Sequence, residues 1–365
     1  MPEVGGALPL QRVEFPVSAD DTAFSLDAKC FDAAVAGFRQ LVRALEKPGE
    51  QVLPESGRTP SYYGPHQRPP AAGLLDFSRP ATELAALARA LDFADRPNPL
   101  ARPKLWLGEE AVLVRSVTLA PQHPPAAPGT VLAADAHSLT VATAAGAVIV
   151  HPVARDLSHR QGQVLPVLTA AERDALTAAH EQLAPHESFW AQRWSAVQPI
   201  ALPGLRADTG SISAEQLRIA VPAGVSADTL LAAHAAFLLR MTGAEGLDLA
   251  WCDSAAPAPA EGFEPLFTST CPLHIDRSTT PSFAQFQIAV TQERANVRAN
   301  GSHLADLFDR TPALRAQPRP TPTVGVAIGP APDSLQAEQP LWMEIAPDGR
   351  ACTWYYNARQ LDAPA

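Results

Sequence analysis

Proline is the residue that most constrains how this chain can fold, because 37 of its 365 residues are proline. That share is about 10%, roughly twice ordinary usage. A proline inside a helix removes a hydrogen bond and clashes with the preceding turn. The prolines therefore favour many loops between short elements and argue against one long helical bundle. At ~150 residues per domain, the length predicts two or three domains.

Composition excludes several classes of protein. The apolar share of 46% is too high for a disordered chain, and a net charge of −10 is unlike that of a nucleic-acid binder. The four cysteines form no CxxC pair, which excludes zinc fingers and redox motifs. We find neither a signal peptide nor an apolar run of the ~18 residues that a membrane span needs. We therefore expect a soluble cytoplasmic protein with reduced thiols.

Near the amino terminus, hydrophobic periodicity predicts a strand over 8–17 and then an amphipathic helix. One strand and one helix cannot enclose a core, so we expect another element to pack on the Leu26, Phe38 and Leu45 face. The predicted apolar stripe comprises Leu26, Cys30, Phe31, Ala34, Val35, Phe38, Leu41, Val42 and Leu45.

The next hundred residues change in character. Residues 47–73 are rich in Pro, Gly and Ser, which is typical of a linker, and Pro80 opens a short helix. Five short runs separated by turns then predict a small β-barrel. These runs are KLWL, EAVLVRSV, GTVLAA, SLTVAT and AVIVHPV, between residues 104 and 153.

The second half alternates between helical and strand patterns and is predicted to be α/β. Thr169 and Glu172 form a capping box at the start of a helix over 169–183. A helix with aromatic anchors at Phe189, Trp190 and Trp194 follows it. We then expect strands at 215–221, 247–252, 270–276 and 323–329, helices after Ser226 and Ser282, and a hairpin around Pro347-Asp348-Gly349.

Four stretches of the first half carry a family resemblance. They are VEFPVSADDTAFSLDAKC, LLDFSRPATEL, PNPLARPKLWLG and PGTVLAADAHSLTVATAAGAV. Residues 8–153 resemble the last strand and helix of the catalytic domain, the linker and the C-terminal barrel of a folate-dependent, methionyl-tRNA-type formyltransferase. The similarity extends to the formyltransferase-like segments of bacterial peptide and polyketide assembly lines.

Four stretches of the second half carry another resemblance. They are PAGVSADTLLAAHAAFLLRMTG, FTSTCPLHIDRSTTPSFAQFQIAV, HLADLFDRTPALR and WYYNARQLD. Residues 187–362 resemble the C-terminal lobe of a nonribosomal peptide condensation domain. The resemblance implies a chloramphenicol acetyltransferase-like fold and an assembly-line context.

Neither resemblance extends to the side chains that would carry catalysis. The formyltransferase family uses an Asn, a His and an Asp, and the positions of its Asp and of a second acid fall on Gly5 and Leu8. The condensation family uses a His-His-x-x-x-Asp-Gly motif, and this chain has no adjacent histidine pair. Its one Asp-Gly pair, Asp348-Gly349, lies in a predicted turn. We therefore assign no catalytic, cofactor-binding or metal-ligating residue and no cofactor.

The remaining polar residues favour structural roles. His234 lies on an apolar helix face and is predicted to be a packed core residue. His303 and Asp306, spaced i, i+3, are interpreted as a solvated pair or helix cap. The other expectations are a surface cluster of Arg155, Asp156 and His159, a polar strand edge of His274 and Asp276, solvated Glu109 and Glu110, and small apolar Cys252 and Cys271.

The charge of the barrel segment bears on tRNA binding, which requires Lys and Arg to meet phosphates. Between Ala72 and Val153 there are six basic and seven acidic residues, so the net charge is 6 − 7 = −1. This balance disfavours tRNA, and we expect neither nucleic acid nor membrane as a partner.

Three hypotheses follow. The chain is a non-catalytic scaffold or docking module of an assembly line, with carrier proteins or neighbouring domains as partners. Alternatively, another chain completes its formyltransferase fold, or Met1 is an internal start of a longer active protein. We expect a formyltransferase remnant over 1–50, a linker and barrel over 51–155, a helical connector over 156–198 and a condensation-like lobe over 199–365.

Overall fold

The computed structural model describes residues 12–46, 62–121, 124–206, 212–253, 258–277, 282–316, 318–331, 335 and 338–361. The chain divides into two compact units, Met1–Arg173 and Asp174–Ala365. We describe each unit by itself. The four-segment division expected from the sequence stays a prediction.

The first unit begins with helix α1, Ala23–Leu45, which confirms the predicted amphipathic helix. Thr22 caps it: the Thr22 hydroxyl accepts from the Ser25 amide, and the Ser25 hydroxyl accepts from the Thr22 amide. Residues 12–17, the described part of the predicted strand 8–17, form no strand, so that prediction is wrong for these residues. The expected cover on the apolar stripe is also missing from the described residues, since Phe38 and Leu45 are exposed.

The core of the first unit is a five-stranded antiparallel sheet with the order β1-β2-β5-β4-β3. Its strands are β1 Lys104–Trp106, β2 Ala111–Leu119, β3 Val131–Ala134, β4 Leu139–Ala142 and β5 Ala147–Pro152. All five coincide with the predicted runs. β1 and β3 form the two edges, so closure into a small β-barrel is not confirmed. Helix α2, Ala81–Ala90, packs its buried Leu84 and Ala85 against the apolar face of the sheet.

A strained turn precedes α2. Ala71 and Ala72 adopt the left-handed region with φ of 50° and 54°, which L residues other than Asn and Asp seldom occupy. The buried Lys104 amine donates to the carbonyl of Ala72 at 2.7 Å and to that of Arg102 at 3.1 Å. This lysine on β1 therefore holds the turn from a position 32 residues later in the sequence.

Helix α3, Ala170–Leu183, crosses the boundary between the two units. The Thr169 amide donates to the Glu172 carboxylate at 2.7 Å, and the Glu172 amide donates to the Thr169 hydroxyl at 3.2 Å. The predicted capping box is therefore confirmed. Helix α4, Glu187–Ala196, follows and buries Trp190 and Trp194 in the core of the second unit.

The second unit is built on a six-stranded mixed sheet with the order β6-β11-β10-β9-β7-β8. The β10–β9 and β9–β7 pairs are parallel and the other pairs are antiparallel. This arrangement confirms the predicted α/β class. The strands are β6 Ala214–Ala220, β7 Gly246–Asp253, β8 Cys271–Asp276, β9 Val324–Ile328, β10 Leu341–Ile345 and β11 Ala351–Asn357.

Two long helices cover one face of this sheet. Helix α5, Ala227–Thr242, begins after Ser226, whose hydroxyl accepts from the Thr229 amide. Helix α6, Phe283–Asn300, begins after Ser282 in the same way. The Ser226 cap was predicted, as was a helix beginning at Ser282. Both helices contribute side chains to the main core of the unit. Two short helices, α7 Leu307–Arg310 and α8 Pro312–Arg315, precede β9.

Alternation along β9 separates two apolar layers. Val324 and Val326 face the main core with α5 and α6. Ala327 faces the opposite side and packs with Ala250 and Trp342 in a smaller cluster. The second layer leads to the cavity described next.

Candidate functional site

The second unit contains a cavity of about 1180 Å³ beside the amino-terminal ends of β9 and β10. Three buried aromatic residues, Trp194, Phe267 and Trp342, form its apolar part. Hydroxyl groups contribute the polar part. The hydroxyl groups belong to Thr268, Ser269, Thr270, Thr321 and Thr323. The side chains of Glu264, Glu338 and Gln339 add two carboxylates and an amide to the polar part.

A proline-rich segment, 318–323, forms one wall. Pro318, Pro320 and Pro322 alternate with Arg319, Thr321 and Thr323. Since each proline fixes its own φ and restricts the residue before it, the segment holds an extended conformation with little freedom. The Thr323 hydroxyl anchors it by donating to the carbonyl of Ile200 at 2.9 Å. This wall is therefore rigid before any ligand arrives.

Arg319 supplies a cation at the cavity. Its guanidinium lies over the ring of Phe308, 4.1 Å from the centroid, and 5.7 Å from the centroid of Trp194. Burial lowers the pKa of Arg319, and the nearby Asp309 carboxylate opposes that shift. Stacking on aromatic faces leaves the edge of a guanidinium able to bind a carboxylate or phosphate.

Gly325 and Trp342 determine the floor of the cavity. They are direct partners across the parallel β9–β10 pair. A Cβ on residue 325 would lie 2.2 Å from Cε2 of the Trp342 ring. The ring therefore lies flat over the glycine, and only glycine leaves space for it.

His303 supports the cavity wall by a hydrogen bond to Trp194, on the side away from the cavity. Nε1 of Trp194 donates to Nε2 of His303 at 2.8 Å, and Nδ1 of His303 lies 2.9 Å from the carbonyl of Leu304. Burial lowers the pKa of His303 to about 4, so the imidazole is neutral at pH 7 and orients Trp194. His303 is fully buried, so the interpretation as a solvated pair is wrong for it.

Asp306, the other member of the predicted pair, belongs to a buried ionic network. It occupies the N-cap position of α7, but its carboxylate accepts from Nε of Arg310 at 3.1 Å instead of capping an amide. Arg310 also forms a bidentate pair with Glu187, and Nε2 of His180 lies 3.7 Å from Oε1 of Glu187. Asp306 is only 2% exposed, so it is not solvated either. Asp306 does not pair with His303 because its carboxylate is attracted more strongly by the charged guanidinium of Arg310 than by a neutral imidazole.

The strand-edge prediction is confirmed. His274 and Asp276 are both exposed on β8, which is an edge strand of the sheet. Nδ1 of His274 lies 3.0 Å from Oδ1 of Asp248, and this hydrogen bond raises the pKa of His274. The pair lies outside the cavity lining.

The remaining candidate residues lie where the sequence placed them. Arg155, Asp156 and His159 are exposed, and Arg155 donates to the Glu110 carboxylate at 2.7 Å. Glu109 is also exposed. Cys252 and Cys271 lie on β7 and β8 as small apolar residues, and burial raises the pKa of both thiols.

His234 is buried on α5, as predicted, and packs edge-on against Trp354 with 4.6 Å between ring centroids. Neither ring nitrogen has a hydrogen-bond partner among the described residues. Burial lowers the pKa of His234 to about 3 from an ordinary value of 6.5. The imidazole therefore stays neutral inside the folded unit.

This neutral histidine predicts a pH dependence of stability. In the unfolded chain the imidazole of His234 binds a proton below pH 6.5, whereas in the folded unit it does so only below about pH 3. The stabilising contribution is therefore complete above pH 6.5 and is lost as the pH falls, by up to about 1.4 kcal/mol per pH unit. We expect the free energy of unfolding, measured by urea denaturation, to fall less between pH 7 and pH 4.5 in His234→Leu than in the original protein.

His274→Leu is the matched control, because the raised pKa of His274 gives it the opposite sign. That variant should leave the decline toward acid in place or steepen it. An unchanged slope in His234→Leu would contradict a neutral buried imidazole.

Two absences concern the described residues. They contain no group of three or more His, Cys, Asp or Glu side chains that could hold a metal ion. Within the same part of the chain, no helix is long and apolar enough to cross a membrane. Gly5 and Leu8, the positions of the missing acids, lie outside the described residues.

Comparison with known proteins finds similarity over part of the first unit. Residues 69–159 match the family model for the formyl transferase C-terminal domain. A methionyl-tRNA formyltransferase from Ectopseudomonas mendocina (strain ymp) is 33% identical over 139 residues, which are 38% of this chain. The formyltransferase resemblance is confirmed for this part. The chain spans about two fifths (41%) of that relative.

Solved structures resemble a larger share of the chain at lower similarity. The first condensation domain of the CDA synthetase is 14% identical with a TM-score of 0.39, covering 62% of this chain and 63% of that one. The X-domain from teicoplanin biosynthesis is 19% identical with a TM-score of 0.38, covering 60% and 66%. The first of these neighbours is a condensation domain, the kind of protein that the second sequence resemblance names.

Sequence reasoning missed the cavity. Its lining comes from five separated places, around residues 194, 267, 305, 319 and 342. The sequence carries one signal for a wall of the cavity: the alternating Arg-Pro-Thr-Pro-Thr run at 319–323 predicts an extended segment with regularly spaced polar side chains.

Proposed function

We propose that this chain is a non-catalytic binding module of a peptide or polyketide assembly line. Its cavity would hold a phosphopantetheinyl acyl group, the form in which carrier proteins present their cargo. The observation that carries the proposal is the lining, which combines aromatic rings, prolines, hydroxyl groups and one arginine with the carboxylates of Glu264 and Glu338 and the amide of Gln339. The described lining residues include no histidine and no cysteine.

The chemistry of the lining fits such a ligand. An arginine binds phosphate through paired hydrogen bonds, and the Arg319 guanidinium is presented at the cavity. Trp194, Phe267 and Trp342 offer apolar surface to an acyl chain. The hydroxyl groups of the threonines and of Ser269 can bond to the amides of the pantetheine arm.

The proposed lack of catalysis rests on what acyl and formyl transfer require. Both reactions need a general base within hydrogen-bond reach of the reacting group. His303 is engaged by Trp194 and lies behind the wall, and His234 is enclosed in the core. These two histidines therefore support the fold rather than proton transfer. The carboxylates in the lining, Glu264 and Glu338, are both exposed to solvent, and that of Glu264 accepts a hydrogen bond from the Gly262 amide at 2.9 Å.

A second candidate function is favoured by the match over residues 69–159. The chain would be the C-terminal part of a formyltransferase whose catalytic half lies in a partner chain or another segment. This candidate and the first differ in one measurable outcome, formyl transfer from 10-formyltetrahydrofolate.

Binding and turnover should be measured on the same preparation of the full chain. Calorimetry would compare an acyl phosphopantetheine with the corresponding acyl pantetheine, which lacks the phosphate. We expect tighter binding of the phosphorylated thioester and no turnover of either thioester or of 10-formyltetrahydrofolate. Formyl transfer would favour the second candidate, and condensation or a failure to bind would overturn the first.

Arg319→Ala should weaken binding of the phosphorylated thioester at least about tenfold, because it removes a charge-assisted hydrogen bond. Arg319→Lys should restore part of the affinity. Arg350→Ala, which removes an exposed arginine of the same unit, is the control and should change nothing. Equal loss for both thioesters in Arg319→Ala would contradict a phosphate-binding role.

A further inference from the structure

Helix α1 carries a heptad pattern along one side. Apolar residues recur at alternating spacings of four and three over the whole 23-residue helix, about 34 Å long at 1.5 Å per residue. This is the a/d pattern by which two helices pack side by side. The positions are Phe24, Ala28, Phe31, Val35, Phe38, Val42 and Leu45, which we term the α1 seam.

The α1 seam is open to solvent from Phe31 onward, whereas the Arg96 guanidinium covers Phe24, 4.9 Å from the ring centroid. Phe31 is 69% exposed, Phe38 is 65% exposed and Leu45 is 65% exposed. Gly37 is the one buried residue of this helix as the structure describes it, and it lies on a different side. Single exposed apolar residues are ordinary, but three heptads of them in one row mark an interaction surface.

Charges beside the α1 seam indicate what covers it. Asp32 and Arg39 each follow a seam residue directly, so both occupy the e position of the heptad, and both are exposed. In an antiparallel pair of identical helices, Val35 packs against Phe38 of the second copy. That register places Asp32 beside Arg39 of the second copy, and the two-fold symmetry forms the same ion pair twice.

A parallel pair of the same helices would be less favourable. Residues at g and at the following e position would then face each other, which brings Asp27 close to Asp32 of the second copy. Arg96 of the same chain forms an ion pair with Asp27, so the parallel register gains no attraction at this position, whereas the antiparallel register gains two ion pairs. The charge pattern therefore selects the antiparallel arrangement, in which the same surface is used by both partners.

The α1 seam supplies part of the area that a stable pair needs. A fully exposed phenylalanine can bury roughly 150–250 Å², and Phe24, Phe31 and Phe38 are 37%, 69% and 65% exposed, so together they offer roughly 260–430 Å². The two valines, the leucine and the residues beside the α1 seam would supply the rest of the ~800 Å² per partner found in standard interfaces.

We propose that α1 is the self-association surface of this protein and pairs antiparallel with α1 of a second copy. The proposal is independent of the ligand of the cavity. It also differs from the sequence hypothesis of a separate catalytic chain on this face, which a monomer at every concentration in the test below would favour.

Sedimentation equilibrium on the full chain across a wide concentration range tests the association. We expect a monomer–dimer equilibrium in the original protein and at least about a hundredfold weaker association in the double variant Phe31→Glu with Phe38→Glu. Phe237→Glu with Phe283→Glu, at exposed positions of α5 and α6, is the control and should dimerise normally. A monomer at every concentration would overturn the proposal.

A charge reversal tests the orientation. Asp32→Arg or Arg39→Asp alone should weaken the dimer about tenfold, since two attractive pairs become repulsive. Combining the two substitutions should restore the original affinity, because each helix again presents complementary charges. Circular dichroism would check that α1 stays folded in every variant. A combined variant as weak as the single ones would overturn the antiparallel pairing.

Discussion

Replacing Arg310 with methionine is expected to lower the free energy of unfolding of the second unit by about 3–5 kcal/mol. The Arg310 side chain is 2% exposed and is the cation between the Glu187 and Asp306 carboxylates. Methionine fills a similar volume but leaves both carboxylates buried without that cation. An uncompensated buried charge costs far more than the ion pair contributes.

Urea denaturation followed by tryptophan fluorescence is a suitable measurement, since five of the six tryptophans lie in the second unit. Arg350→Met is the control, because Arg350 and Asp348 form an exposed pair worth at most about 1 kcal/mol. Adding Glu187→Gln to Arg310→Met should recover part of the lost free energy of unfolding, because it removes one of the two buried carboxylates that no longer face a cation. Similar losses in Arg310→Met and Arg350→Met would contradict the buried network.

The same network gives an acid sensitivity. Burial alone would raise the pKa of Glu187, but the neighbouring His180 imidazole, with Nε2 3.7 Å from Oε1 of Glu187, and the charge of Arg310 hold it below its ordinary value of 4.5. A carboxylate with a lowered folded pKa stabilises the fold above pH 4.5, and this contribution is lost as the pH falls through the folded value. The acid sensitivity due to Glu187 should therefore disappear in the variant that carries Glu187→Gln.

Gly325→Ala is expected to destabilise the second unit by about 3 kcal/mol, at the upper end of the cost of overpacking. The new methyl group would lie 2.2 Å from the Trp342 ring, and the ring is only 3% exposed. Either the ring leaves its rotamer or β9 and β10 separate. Because Trp342 forms the floor of the cavity, the variant should also bind the phosphopantetheinyl thioester more weakly.

Gly246→Ala is the matched control in the neighbouring strand β7. A Cβ there meets its nearest atom, the carbonyl oxygen of Ile275, at 3.4 Å, which is an ordinary contact. This variant should be neutral or slightly stabilising. In a Trp342→Val background, Gly325→Ala should cost little, since the clashing ring is gone. An equal cost in both backgrounds would show that the ring is not the cause.

Local signals explain why so much of the fold is predictable from the sequence. Thr22, Thr169, Ser226 and Ser282 each begin a helix through a hydrogen bond that spans only three residues. The five strands of the first unit follow from short β-rich runs between turns. Hydrogen bonds and periodicities of this kind are complete within a few residues and need no tertiary information.

The predictions that were wrong or incomplete concern contacts between distant residues. His303 and Asp306 are neighbours in sequence, but Trp194 and Arg310 engage them separately inside the core. The predicted apolar stripe of α1 combined residues from two sides of the helix. Over so few turns, the 3.6-residue period of a helix face and the 3.5-residue period of a heptad seam are too similar to be distinguished. The cavity is invisible locally, since no single segment contains more than a part of it.

The turn at Ala71 and Ala72 has a consequence for the order of events during folding. Two alanines in the left-handed region are costly on their own, by about 1–3 kcal/mol each. Their stabilising partner, the Lys104 amine, arrives only when the strand that carries it has docked. We therefore expect this turn to form late in folding, in the same step in which β1 docks at the edge of the sheet. The finished sheet then holds the segment before α2 in place, and that segment does not direct the assembly of the sheet.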